Sequence, residues 1–453
     1  MTTPGAEARA HRLSRRVLLG YGVGSLGTGI YSSTPGVLLL FFMTDTLGIP
    51  ASLAALGVSL PKFWDMFADP IVGGLSDRTR SRWGRRRPWL LGGSLLMLVS
   101  YIFLFTVPRF ESVYTSFLYV TGMFALSATA YAIFAVPYTA MAAEMSDSSQ
   151  ERVRIMAYRM TLVMLGILAG SSLAPMLVGA LGGGRHGYAG MSIMIGSVAA
   201  GAMLLAFFST RGVPLLQLPV RHVTWREQAR LVLRNRQFLC LLSVYLVQLL
   251  ALGTMTAAAP YFAVHVLGQD ERLIGRIFLV LLGVAVVSMP FWSAMARRHG
   301  KKRAYFAASL LYAAASLCLL AVRPGGNPLL LYAPIAFMGL AFGAQQLLPF
   351  AMLTDVINAD SNASGVRREG LLSGLWVASE KAGLAIGPLV AGLTLDATGF
   401  IESTGASVVQ SAGAQDGIRI AYALIPAAVI VLSLALLRRY RSEGEQLVQV
   451  STS

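Results

Sequence analysis

The chain has 453 residues, of which 55% are hydrophobic and only 13% are charged. Soluble domains carry about 25% charged residues, so this composition excludes an ordinary soluble protein and is typical of a chain whose main solvent is lipid. The formal net charge of +16 does not indicate a nucleic-acid partner, because the basic residues occur in short runs between long apolar stretches rather than on one polar surface. Cys240 and Cys318 lie inside separate apolar segments, which favours two small buried side chains over a disulfide or a metal site.

Twelve segments are long and apolar enough to cross a bilayer as helices, which takes about 20 residues each. They lack the alternation of polar and apolar residues that marks a membrane β-barrel. We therefore predict an all-α integral membrane protein. The predicted spans, in chain order, cover residues 17–44, 52–76, 88–107, 115–144, 156–180, 189–209, 237–266, 272–296, 303–322, 329–357, 370–395 and 418–438.

Positive charge in short loops marks the cytoplasmic side of a membrane protein. The loops after spans 2, 6 and 8 and both tails are rich in arginine and lysine, whereas the intervening loops carry such residues singly. Both termini are therefore predicted to be cytoplasmic, and this distribution accounts for most of the net charge. We expect a multi-pass protein of the cell membrane, in a bacterium the inner membrane.

Two landmarks recur in the same order, and at nearly the same separation, in both halves of the chain. Gly84 with three following arginines precedes span 3, and Gly300 with three following basic residues precedes span 9. Pro137 and Pro349 likewise lie late in spans 4 and 10. This repetition predicts two pseudo-symmetric six-helix bundles with a substrate site between them. The predicted divisions are an N-tail 1–16, an N-terminal bundle 17–209, an amphipathic cytoplasmic linker 210–236, a C-terminal bundle 237–438 and a C-tail 439–453.

Span 2 carries Lys62, Asp65 and Asp69, and a charge at this depth is costly and usually functional. The aspartates are four residues apart, so they project from one helix face. Two such carboxylates resist joint ionisation unless a cation lies between them, and hard cations prefer oxygen ligands. We predict that Asp65 and Asp69 bind Na⁺ or H⁺, with no other cofactor. The alternative is that Asp65 pairs with Lys62, Lys381 or Arg159 only to hold the helices together.

Span 11 carries Glu380 and Lys381. A lysine deep in a span competes with a cation for carboxylates, so Lys381, with Lys62 as a second candidate, is predicted to couple cation to substrate. Glu380 faces either the cavity or a neighbouring helix, and it receives no role.

Substrate contact is predicted for polar and aromatic residues on the spans around these charges. Aromatic rings stack on sugars, although membrane aromatics also serve as packing or interface anchors, and Arg159 is as suited to a structural or gating pair. The candidates are Arg159, Tyr131, Tyr138, Trp376, Gln345 and Gln346.

Glu144 and Asp355 lie at helix ends near the basic loops. We predict that they form ion pairs with loop arginines, among them Arg85 and Arg86, and that these pairs break and re-form as a gate. The sequence has no phosphate-binding loop and no nucleophile–base pair or metal-ligand set within the spans, so the chain is not predicted to be an enzyme.

Four motifs of this sequence together resemble those of a known protein family. They are the segments Lys62–Pro70 and Asp77–Trp89, the pair Pro137-Tyr138 with Arg159 downstream, and Lys381-Ala382-Gly383. On them the chain resembles the glycoside–pentoside–hexuronide:cation symporter family of the major facilitator superfamily. The resemblance implies the twelve-helix major facilitator fold, with Asp65 and Asp69 as the cation-site carboxylates and Lys381 as the lysine of span 11.

The chain departs from this family at three aligned positions. The acidic residues that bind sugar in melibiose-transporting members align with Gly29 and Ala135, and a threonine that supports sodium binding aligns with Ala132. The resemblance therefore implies Na⁺- or H⁺-coupled symport of a sugar or glycoside-type solute by alternating access, without specifying a galactoside. We also expect the protein to act as a monomer. An amphipathic or lysolipid-like substrate, proton-coupled export and a non-transporting sensor remain alternatives.

Overall fold

The computed structural model describes residues 13–146, 148–213, 235–364, 369–405 and 408–440, and these residues form long helices and no strands. The predicted linker and the two predicted tails lie mostly outside the described residues. The helices, in chain order, are α1 Arg15–Thr46, α2 Ala51–Arg78, α3 Arg87–Phe105, α4 Val113–Glu144, α5 Gln150–Ala180, α6 Gly184–Ser209, α7 Arg236–Val266, α8 Glu271–His299, α9 Lys301–Ala321, α10 Pro328–Ser364, α11 Glu369–Ala397 and α12 Ala412–Arg439.

Several helices begin well before the apolar span that predicts them. The largest differences are at α5 and α12, each of which begins six residues before its predicted span. Each has a serine cap: Ser148 accepts a hydrogen bond from the backbone N–H of Glu151, and Ser411 accepts one from Ala414. The capped backbone continues through polar residues outside the apolar region, so the apolar boundary underestimates the helix.

Ten helices among the described residues are long and apolar enough to cross a membrane. The helices α2 and α11, with 28 and 29 residues, are just as long but are interrupted by charged side chains. For these two, membrane crossing stays a prediction, as do the exact domain limits.

Both cysteines carry free thiols. Cys240 is partly buried on α7, where its Sγ donates to the backbone carbonyl of Leu436 at 3.3 Å. Cys318 is exposed on α9, so the prediction of a buried side chain is wrong for this residue. The physical reason is that an apolar position on a membrane helix suits a lipid-facing surface as well as a packed core.

Helix packing repeats between the two halves of the chain. Helix α1 packs on α5 and α6, as α7 packs on α11 and α12, and α2 and α3 pack on α4 as α8 and α9 pack on α10. Both α1 and α7 end in a five-residue π-helical turn followed by a glycine, Gly48 or Gly268, with φ of 67° or 64°. This left-handed conformation favours glycine. The recurrence confirms the predicted pair of pseudo-symmetric six-helix bundles.

The two bundles meet along α2 and α11, α5 and α8, and α1 and α7. We call the ends that carry the arginine-rich loops the basic side and the opposite ends the far side. On the far side, Thr44 Oγ1 lies 2.7 Å from Tyr261 Oη, and the backbone N–H of Ala51 donates to Glu402 Oε1 at 3.0 Å. Both contacts join one bundle to the other, so the far side is closed.

We expect Gly387→Ala to weaken the contact between α7 and α11. A methyl group at this position would meet backbone atoms of Gly253 and Thr254, and overpacking of this kind costs about 1–3 kcal/mol. The thermal unfolding midpoint in lipid nanodiscs should therefore fall by several degrees. Gly374→Ala is the matched control, because it lies on the same helix and its methyl group would meet no other atom within 4 Å. An equal fall in both variants would contradict this packing role.

Candidate cation and substrate site

Helices α2 and α11 bring three charged side chains together where the bundles meet. Lys381 Nζ lies 2.7 Å from Asp65 Oδ2 and 2.5 Å from Asp69 Oδ2. The side chains of Asp65, Lys381 and Asp69 are 15%, 20% and 30% exposed, so solvent screens their attraction only in part. Because the aspartates are four residues apart on one helix face, a single lysine reaches both. The structure thus brings together the two predicted cation ligands and the predicted coupling residue.

Each aspartate contacts Lys381 through only one of its two carboxylate oxygens. Asp65 Oδ1 and Asp69 Oδ1 are buried and have no hydrogen-bond partner, and buried polar atoms are rarely left in this condition. The described residues contain no group of three or more histidine, cysteine or acidic side chains placed to hold a metal ion. Two carboxylates that share a lysine suit a proton or a monovalent cation better than a multiply charged metal, which takes more oxygen ligands.

Lys62, the second coupling candidate, also connects the two bundles. Its Nζ donates a hydrogen bond of 3.3 Å to the backbone carbonyl of Leu384 on α11. Its partner is thus a carbonyl rather than Asp65, although the aspartate lies one turn further along α2. Both lysines therefore tie α2 to α11, and only Lys381 does so through the carboxylates.

Two tyrosines form one wall close to these charges. The ring of Tyr131 on α4 stacks on that of Tyr31 on α1, with centroids 4.9 Å apart. Tyr131 is partly exposed, whereas Tyr31 is buried. The sequence analysis predicted a role for Tyr131 but not for Tyr31. Tyr31 lies on a different helix, and no motif along the chain indicates that the two rings stack.

Arg159 presents a positive charge that no described carboxylate neutralises. Its Nη2 donates to Thr139 Oγ1 at 2.9 Å, its guanidinium lies over the ring of Tyr138 at 5.6 Å, and its Nε is buried without a partner. A cation with an unused donor at a partly exposed position is suited to binding a solute that carries hydroxyl or anionic oxygens.

The structure gives Tyr138 and Trp376 packing positions inside single bundles. Tyr138 is fully buried, stacks on Tyr21 at 4.4 Å and shares a 2.8 Å hydrogen bond with Ser25 Oγ. Trp376 is also fully buried and stacks on Tyr245 at 4.2 Å. Neither ring therefore has a free face for a substrate in this conformation. The sequence did not predict this, because the hydrophobic pattern does not fix the rotation of α4 and α11. We do not carry these two residues into the proposed site.

The polar residues Gln345 and Gln346 are partly buried on α10. Gln345 Nε2 has no hydrogen-bond partner, so it keeps a free donor for a ligand. Glu380 is partly buried and lies next to Tyr245, which places it on the α7 side of α11 rather than with the aspartates of α2.

The predicted gating residues form ion pairs within each bundle. Glu144 Oε1 lies 2.8 Å from Arg85 Nη2 and 2.8 Å from Arg86 Nη2. Asp355 pairs at 2.6 Å with Lys301, which corrects the expectation of an arginine partner. Lys301 follows Gly300 as Arg85 follows Gly84, so a lysine occupies the repeated position. The gating role itself stays a prediction.

A far-side pair was missed by sequence reasoning altogether. His265 Nε2 on α7 lies 2.8 Å from Asp45 Oδ1 on α1. The histidines of this chain have no metal-ligand spacing, so nothing along the chain singled out His265. The pair could have been predicted only from the internal repeat, because the two residues occupy equivalent positions in its two halves.

Two six-helix bundles joined by a charged contact define a membrane transporter rather than an enzyme. The chain belongs to the family of major facilitator superfamily (MFS)/sugar transport proteins, whose model matches residues 20–443. An uncharacterized symporter of Synechocystis is 30% identical, with 94% of each protein covered. A glucuronide carrier protein homolog of Escherichia coli is 26% identical over 95% of this chain and 93% of that protein. The sphingosine-1-phosphate transporter MFSD2B of Xenopus tropicalis is 25% identical over 96% of this chain and 89% of that protein.

Solved structures confirm the predicted fold. A bacterial homolog of the human lysosomal transporter Spinster, in an inward-facing and unoccupied conformation, has a TM-score of 0.68 at 13% identity, with 94% of this chain and 97% of that chain covered. A D-xylose–proton symporter has a TM-score of 0.66 at 13% identity, with the same coverage. At 13% sequence identity, these similarities establish only that the chain has the major facilitator fold.

We expect Lys381→Ala to lower the free energy of unfolding at pH 8 by about 2–3 kcal/mol, because it leaves two carboxylates without their buried partner. The loss should be smaller at pH 5, because two carboxylates one turn apart resist joint ionisation and more readily share a proton once the lysine is gone. Unfolding in nanodiscs at both pH values measures the difference.

Two variants control this stability measurement. Adding Asp65→Asn and Asp69→Asn to Lys381→Ala should recover most of the loss, because no uncompensated charge remains. Lys301→Ala removes a lysine that is 40% exposed and should cost less than about 1 kcal/mol. A loss for Lys381→Ala that is independent of pH and unchanged in the triple variant would rule out the charge explanation.

Proposed function

We propose that this protein is a cation-coupled symporter that carries a sugar or glycoside-type solute with Na⁺ or H⁺ by alternating access and acts as a monomer. Asp65 and Asp69 bind the cation, and Lys381 couples its binding to that of the solute. The observation that supports this most directly is the pair of buried, unpartnered oxygens, Asp65 Oδ1 and Asp69 Oδ1, beside a shared lysine.

Lys381 serves as an internal substitute for the transported cation. It belongs to α11 of the second bundle, whereas both aspartates belong to α2 of the first, so its position relative to them changes when the bundles move. A cation that binds between the aspartates reduces their attraction for the lysine. Cation and bundle arrangement therefore influence each other, as a coupling between sites requires.

In the predicted orientation the basic side is cytoplasmic, so the closed far side is the outer side. The solute then meets Arg159, Tyr131, Gln345 and Gln346 on helices of both bundles. Arg159 and Gln345 keep unused donors, and the partly exposed face of Tyr131 offers a stacking surface. Donors with an aromatic face are typical of sites for hydroxylated solutes. Relatives named as a glucuronide carrier homolog and an isoprimeverose transporter favour a sugar-type solute.

An amphipathic solute with an anionic head group is the second candidate. Arg159 has no carboxylate partner among the described residues, and a relative at 25% identity is a sphingosine-1-phosphate transporter. A guanidinium binds phosphate through paired hydrogen bonds, so the residue that would hold a sugar would also hold such a head group.

We expect Asp65→Asn and Asp69→Asn each to reduce cation-stimulated uptake in proteoliposomes by about tenfold or more, in line with couplings of 5- to 150-fold between linked sites. Uptake of labelled sugars, glycosides and lysolipids is measured with an imposed Na⁺ gradient, an imposed H⁺ gradient, or neither. The response to each gradient identifies the ion, and the gradient direction that drives movement separates import from export.

Asp396→Asn is the control for these two variants. It also removes a carboxylate, but Asp396 is exposed near the end of α11, so cation-stimulated uptake should persist. Counterflow of labelled solute without a gradient separates a transporter from a sensor. Full gradient-driven uptake in both α2 variants would contradict the assignment of Asp65 and Asp69 as cation-binding residues.

A further inference from the structure

The far side is closed by the ends of α1 and α7, and each end presents one titratable side chain to the other. Asp45 and His265 lie in the two π-helical turns that end these helices. Their separation along the chain equals that of Gly48 and Gly268, which follow the turns. Equivalent residues of parallel repeats meet when they lie close to the axis that relates the repeats, so these two residues lie near that axis.

The contact is direct and largely shielded from water. His265 Nε2 lies 2.8 Å from Asp45 Oδ1, and the side chains are 8% and 20% exposed. The imidazole ring lies 5.9 Å from the ring of Phe41 and 5.3 Å from that of Phe400. The nearby hydrogen bond between Thr44 and Tyr261 joins the same two helices without any charge. Opening of the far side separates both pairs.

Titratable and charged side chains on several packed elements surround the pair of Asp45 and His265. Besides Asp45, the titratable or charged side chains at this end of the packed elements are Tyr188 of α6, Tyr261 of α7, Glu271, Arg272 and Arg276 of α8, Glu402 of the loop before α12, and Asp416, Arg419 and Tyr422 of α12. Two of the arginines on these elements are bound elsewhere. Arg272 contacts Asp270 and the carbonyl of Gly179, and Arg419 donates to the carbonyls of Leu320 and Val322.

We propose that Asp45 and His265 form a proton-sensitive latch that holds the far side closed. A proton on His265 turns the contact into an ion pair that exists only in the closed arrangement, and loss of the proton leaves a weaker hydrogen bond from a neutral imidazole to the carboxylate. By linkage, protonation and closure favour each other. In the predicted orientation the latch faces the outside, so an acidic exterior holds the outer side closed and a neutral to alkaline exterior allows it to open. This latch does not depend on which solute or cation the protein carries.

The test measures far-side opening directly, without substrate. Spin labels are placed at Glu111→Cys and Asn327→Cys, two exposed far-side positions on opposite bundles, in a Cys240→Ser and Cys318→Ser background. Distance distributions are recorded in nanodiscs at about pH 5.5 and about pH 8, a range that spans histidine titration. The ratio of open to closed far side should rise roughly fivefold between the two pH values, the low end of typical couplings between linked sites.

The pH response should vanish in His265→Gln and in Asp45→Asn, each of which removes the ion pair by a different change. Tyr261→Phe is the matched control, because it removes the neutral hydrogen bond of the same closure. It should raise the open fraction at both pH values and keep the fivefold response. A parent protein without a pH response, or a full response in either latch variant, would overturn the proposal.

Discussion

The contact of Lys381 with Asp65 and Asp69 is the constraint on which the rest of the structure depends. Two carboxylates one turn apart on α2 would repel each other in a medium of low dielectric constant. The lysine removes this repulsion, and because it belongs to α11 it does so only while the bundles touch. Under the proposed mechanism, the arrangement that stabilises the cation-free protein is also the arrangement that a cation must change. Stability and the proposed coupling would then share one interaction, so a change that improves one would weaken the other.

The internal duplication makes this contact more informative, because its counterpart in the other half lacks the charges. Pro70 of α2 and Pro290 of α8 have the same separation along the chain as Asp45 and His265. At that separation, Asp65 corresponds to Ala285 and Asp69 to Met289. The contact of α8 with α5 is close: a methyl group on Gly275 would meet Met176 and the carbonyl of Ser172. Of the two equivalent contacts, only the one between α2 and α11 has carboxylates at these two positions.

Most of the architecture could be predicted from the sequence, because long apolar runs and the basic loops between them follow directly from the properties of a bilayer. The contact of Lys381 with Asp65 and Asp69 could be anticipated for the same reason, since charged side chains within a span need a partner. The environment of Tyr138 and Trp376 could not be predicted. Whether each ring faces a cavity or a neighbouring helix depends on the rotation of its own helix, and a helix with apolar residues on all sides gives no sequence pattern that fixes this rotation. Asp45 and His265 could not be paired by helical spacing, because their contact comes from the symmetry of two distant segments.

In the proposed mechanism, the two charged contacts between the bundles, at α2–α11 and at the far side, act on the same equilibrium, and the expected magnitudes of their effects explain why both would be present. A coupling between linked sites is typically about 1–3 kcal/mol, whereas reversing a population from 1:99 to 99:1 takes about 5.5 kcal/mol. Neither cation binding at Asp65 and Asp69 nor proton loss at His265 would then suffice alone. Contributions from separate sites add when they share no partner, so the two together, with the binding energy of the solute, approach the required difference. A protein built in this way would stay closed on its outer side until conditions at both contacts favour opening, which limits leakage of the cation without solute.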